Sequence, residues 1–205
     1  MNRITRVCVT RCLVILAGLA VLPGGCGTSL KEADRARLSS VSIDPAVNIK
    51  GFTYFGGKAK LAAMVGGIPA SVVVSALAPE KGEILQLMEK NHIDIGQILA
   101  AEFEKQLAAK PGFPQLVKEG GDAQFRFELS YGLSQSLLAS RLKPELYVWA
   151  NLKDNEGKTI WKSRKWANQH LPGYKHREYV QNPELLRQVL QEASAVVAKK
   201  FAETL

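Results

Sequence analysis

The chain has 205 residues, 46% of them hydrophobic, with 27 lysines and arginines against 19 aspartates and glutamates, and three cysteines. That length suits one domain of ordinary size with a core of its own. The formal charge of +8 is dispersed along the chain rather than gathered in a stripe, which argues against nucleic acid as a partner.

The first residues carry a basic start, Arg3, Arg6 and Arg11, with no acid among them. An apolar run of eleven residues, Cys12 to Leu22, follows and leads into Pro23-Gly24-Gly25-Cys26. Such a run is short of the roughly 20 apolar residues that span a bilayer and has the layout of a secretory signal. Basic start, short apolar core and small residues before a cysteine together resemble bacterial lipoprotein precursors. Pro23 stands where that family usually has leucine, and Leu22 lies one place earlier. The resemblance covers residues 1–26 and implies that residues 1–25 are removed and that Cys26 is acylated as the first mature residue. Gly27 after it, in place of an aspartate, implies by the same resemblance the outer membrane, facing the periplasm. Cys8 and Cys12 would leave with the signal, so the mature chain has neither a free thiol nor a disulfide. It would keep 180 residues and a formal charge of +5.

Residues 27–42 are polar and charged, with Lys31, Glu32, Asp34, Arg35 and Arg37, and read as a flexible tether of the lipid to a domain over 43–205. Val41-Ser42-Ile43 and Phe52-Thr53-Tyr54-Phe55 read as short strands, since β-branched and aromatic residues are bounded by Asp44-Pro45, Gly51 and Gly56-Gly57.

Residues 61–78, LAAMVGGIPASVVVSALA, carry no charge. Gly66, Gly67 and Pro69 break or bend a helix there. Ala63, Gly67, Ser71 and Ser75 recur every fourth place and form a smooth strip along which another helix can approach. Three readings stay open: a tightly packed soluble core, an oligomer contact or a membrane-inserted hairpin.

Residues 79–91 read as a connection with a small apolar patch. A helix is expected from the N-cap Asp94, with Ile95, Ile98, Leu99, Phe103 and Leu107 on one face and Lys110-Pro111-Gly112 as its stop. After Gly120-Gly121-Asp122 the period changes to two. Phe125, Phe127, Leu129, Tyr131 and Leu133 alternate with polar residues; Leu142, Leu146, Val148, Ala150 and Leu152 share one side of a second strand. The turn Asp154-Asn155-Glu156-Gly157 returns the chain into a third strand over residues 158–166, giving an antiparallel meander. Its outer face mixes aromatic and basic residues, with Tyr147, Trp149, Lys143 and Lys162 as candidates for contact with a partner.

Residues 170–181 read as a polar loop, in which Tyr174, His176 and Arg177 are further candidates for partner contact. His170 and His176 have no cysteine or carboxylate pattern around them, so no metal and no other cofactor is expected. Asn182-Pro183-Glu184 opens a last helix with the stripe Leu186, Val189, Leu190, Ala193, Val197 and Phe201.

There is no Gly-x-Ser-x-Gly, phosphate loop, dinucleotide fingerprint or His-Glu-x-x-His, and the expectation is a protein without catalysis. The expected fold is α+β, a small, mainly antiparallel sheet covered on one face by amphipathic helices, with an apolar Gly/Ala-rich helical segment. The order of elements loosely resembles the periplasmic domains of small lipoproteins that serve envelope machines, such as activators of peptidoglycan synthases or auxiliary lipoproteins of transporters. The shared cues, Gly157 and Trp161 after the turn and Asn182-Pro183 before the last helix, assign no family. Two functions follow as expectations: an envelope lipoprotein that binds a protein partner, or an oligomeric subunit that inserts residues 61–78 into the membrane.

Overall fold

The computed structural model describes residues 29–56, 79–135, 140–167 and 170–205. Cys26 and residues 61–78, with Gly66, Gly67, Pro69, Ser71 and Ser75, lie outside the described residues.

The period-two stretches form the centre of a sheet. Strand β4 (Ala123–Ser134) pairs antiparallel with β5 (Lys143–Asp154) over twelve residue pairs, and β5 pairs antiparallel with β6 (Thr159–Ala167). The other edge of β4 takes two strands in succession, both parallel to it. β1 (Ser40–Ile43) pairs at Ala123 to Phe125, and β2 (Asn48–Phe55) pairs from Glu128 to Ser134. Asp44-Pro45 separates them, because proline has no N–H to give the ladder. A three-residue strand, β3 (Gln115–Val117), adds in parallel outside β1. The fold is therefore α+β, its longest ladders antiparallel and its far edge parallel.

Helix α3 (Ile95–Ala108) begins where Asp94 accepts from the N–H groups of Gly96 and Gln97, and α5 (Pro183–Ala202) where Asn182 accepts from Leu185. Both lie on one face of the sheet. Phe103 of α3 packs edge-on to Phe125 and Phe127, and Phe201 of α5 packs against Phe103 and Trp161. The alternating residues Phe125, Phe127, Leu129, Leu146, Val148 and Leu152 meet the helical stripes in one core.

Three segments differ from their reading in the sequence. Residues 79–91 are not a mere connection but hold α2 (Pro79–Lys90), which buries Ile84 and Met88, one turn apart. Within the expected loop at 170–181 lies α4 (His176–Gln181), opened by Glu178 accepting from the Lys175 N–H at 2.6 Å, and its Tyr179 is fully buried. The polar run is folded from residue 30 on, well before residue 43. Leu30 is buried, its N–H donates to the Thr204 carbonyl, and α1 (Glu32–Arg35) and β1 follow. Charge density suggested a tether, but Leu30 and Val41 are buried in the core, Ser40–Ile43 pairs with its neighbouring strands, and Asp122 Oδ2 accepts from Ser39 N at 2.7 Å and from Ser40 N at 2.9 Å.

A candidate interaction surface on the open sheet face

The face of the sheet opposite α3 and α5 is read off by strand periodicity. If Leu146, Val148 and Leu152 point inward, Tyr147, Trp149 and Asn151 point outward. Register then sets Trp166 opposite Tyr147, Arg164 opposite Trp149 and Lys162 opposite Asn151. Tyr147, Trp149 and Trp166 are 37%, 39% and 41% exposed, which makes them three of the few large apolar side chains left in water among the described residues. The Tyr147 and Trp166 rings stack in parallel across the two strands.

Charges on the β4 side of this face are largely matched. Glu128 pairs with Lys50 at 3.2 Å, Asp44 with Arg126 at 3.6 Å, and Glu145 accepts from Ser134 at 2.6 Å. The Arg164 side chain has no ion pair or hydrogen bond among the described residues. Burial, and then the Glu145 carboxylate, push the Tyr147 phenol above its usual value, so its hydroxyl stays a neutral donor. The arrangement offers a flat aromatic platform flanked by a cation with unused donors.

The structure joins Tyr147 and Trp149 on this face and places the other candidates elsewhere. Tyr174 pairs its backbone with Leu142 in both directions and packs its ring on Tyr179. His176 is fixed between three elements: its Nδ1 lies 3.0 Å from the Tyr54 hydroxyl and its Nε2 lies 2.7 Å from Glu83 Oε2. The carboxylate only accepts, so Nε2 carries a proton, and in the neutral ring Nδ1 accepts from Tyr54. Burial foremost, with Glu80 and Glu83 adding to it, raises the Tyr54 phenol and keeps it a donor. Arg177 is exposed on α4. Trp166 and Arg164 were passed over in the sequence, although alternation within β6 was the available signal. Among the described residues no group of three or more His, Cys, Asp or Glu side chains is gathered as a metal site.

No known family model matches the chain, and no curated protein matches it. Solved structures similar to it include a PelC dodecamer from Paraburkholderia phytofirmans, at 13% identity over 84% of this chain and 92% of that one, with a TM-score of 0.30. A minor lipoprotein from Acinetobacter baumannii is similar at 13% identity over 80% and 88%, with a TM-score of 0.39.

Proposed function

We propose that this chain is a non-catalytic lipoprotein of the bacterial envelope, anchored through an acylated Cys26 in the outer membrane, whose domain binds an acidic segment of an envelope protein on the open face of β5 and β6. The carrying observation is the platform of Tyr147, Trp149 and Trp166 with Arg164 beside it. Aromatic residues and arginine are the side chains enriched at protein interfaces, and an acidic partner complements the Arg164 guanidinium, which is unpaired among the described residues.

The test is a photo-crosslinking amino acid placed at Trp149 in cells, with Gln188 on the outward side of α5 as control. A discrete protein adduct at position 149 alone, lost on Arg164→Glu while the fold is kept, supports the reading. Equal labelling at both positions, or an adduct indifferent to Arg164→Glu, removes it. Anchoring is read separately, from the intact mass of the processed protein and from release of Cys26→Ser from the membrane.

The second reading is an oligomeric subunit that inserts residues 61–78 into the bilayer. It is favoured by the small residues Gly67, Ser71 and Ser75 at helical spacing. Among the described residues no helix is long and apolar enough to cross a membrane. Ring-sized particles, or retention of a processed Cys26→Ser protein in the membrane, would shift the balance to this reading.

A further inference from the structure

Leu30 is already part of the core. Its side chain is 7% exposed and its N–H donates to Thr204 O at 3.1 Å, at the end of α5. Four peptide steps separate Leu30 from Cys26. Fully extended, they reach about 14 Å. A tether running to residue 42 would instead allow some tens of ångströms.

What surrounds the docking point of Leu30 is cationic on balance. Lys31, Arg35 and Arg37 follow it directly, and Lys199 stands on the last turn of α5. Lys110 Nζ donates to Ala202 O at 2.6 Å, and Arg35 reaches the Gly112 carbonyl at 2.9 Å. Glu32, Asp34, Glu203 and Asp122, which accepts from the Ser39 and Ser40 amides, are the acids nearby. Burial, and then the charge of Arg35, hold the Lys110 amine below its usual value, and an anionic neighbour would relieve that repulsion. Basic residues beside a membrane surface are drawn to anionic lipid.

We infer that the end of the domain formed by α1, the 110–112 turn and the C-terminal turn of α5 rests on the anionic phospholipid surface into which Cys26 is anchored, held there by Leu30. This rests on the acylation of Cys26 given above and adds to it where the domain sits. The opposite end is marked by Arg187, near the start of α5, whose guanidinium binds the Asn91 carbonyl at 2.7 Å. About 25 Å of helix separates the two ends. The open face of β5 and β6 is then presented to the side of the anchor, close to the membrane.

The experiment uses the full precursor, processed in cells, purified and placed in vesicles of phosphatidylethanolamine and phosphatidylglycerol that carry an acceptor dye on the lipid. Donor dye is attached at Ala33→Cys, exposed and uncharged on α1, or at Lys90→Cys, the latter beside Asn91; in the acylated protein neither competes with another free thiol. Energy transfer to the lipid should be roughly twofold or more higher from position 33, given the separation along α5. A glycine-serine insert between Ser29 and Leu30, which leaves the core intact, should abolish the difference. Equal transfer from both positions in the native chain, or transfer unchanged by the insert, overturns the inference while leaving the anchor standing. A processed protein that neither carries acyl chains nor floats with the vesicles overturns the anchor as well.

Discussion

Tyr147 and Trp166 face each other across β5 and β6 with ring centroids 6.1 Å apart and planes within 5° of parallel. Both residues keep more than a third of their surface in water, so the stack stabilises the sheet only modestly, by about 1 kcal/mol. Trp166→Ala should lower stability to urea by about that much and alter the near-ultraviolet circular dichroism. Trp161, 1% exposed on the same strand, is the contrast: Trp161→Ala should cost about 3–5 kcal/mol. Comparable losses at the two positions would show that Trp166 is core and not platform.

Asp122 ties the start of β1 to the entry of β4. The backbone N–H of Ser40, then that of Ser39, and the Ser40 hydroxyl together outweigh desolvation and hold its carboxyl below the usual carboxylate value. A carboxylate with a depressed folded pKa contributes stability that is complete above its unfolded value of about 3.9 and is lost as pH falls through the folded one. The urea midpoint should therefore fall in acid. Asp122→Asn should show a shallower fall over that window and protect the Ser39 and Ser40 amides less well. An unchanged acid slope would assign the loss to other carboxylates.

The centre of the fold was legible because period-two alternation in β4 and β5 and 3.6-residue stripes in α3 and α5 each extend over many residues. What escaped was short or depended on distant partners. The parallel docking of β1 and β2 on β4 has no local trace, and α4 is six residues long and held by Tyr179 inserting into the core. The platform was half legible. Counting back from the turn, where Lys153 pairs with Thr159, would put Tyr147 opposite Lys165. An irregularity between Leu152 and Lys153 adds one residue on β6, so that Trp161 turns inward and Trp166 comes to face Tyr147. Leu30, alone among charges, had no period to announce it.

Gly132 of β4 lies opposite Thr53 of β2. A Cβ there would overlap the Thr53 carbonyl oxygen and sit 3.0 Å from its carbon, both backbone atoms that cannot turn aside. Gly132→Ala should cost about 1–3 kcal/mol and speed amide exchange in β2 before the rest of the sheet. Gly51→Ala, with nothing within 4 Å of its Cβ, is the control and should be neutral or slightly stabilising. If both substitutions behave alike, β2 is not pressed against β4 at residue 132.

His176 joins α4 to β2 and α2 through opposite sides of one ring. Removing it strands the Tyr54 hydroxyl, on a residue 1% exposed, without its acceptor. Leaving a buried donor unsatisfied costs about 1–3 kcal/mol, so His176→Phe should destabilise within that range. Tyr54→Phe takes away the hydroxyl itself and should cost less. The double variant should then lose less than the sum of the two, by about 1 kcal/mol in a cycle of urea titrations. Strict additivity would mean that the hydroxyl and the imidazole do not share a hydrogen bond, and that the edge-on ring contact at 5.8 Å alone seats α4 on β2.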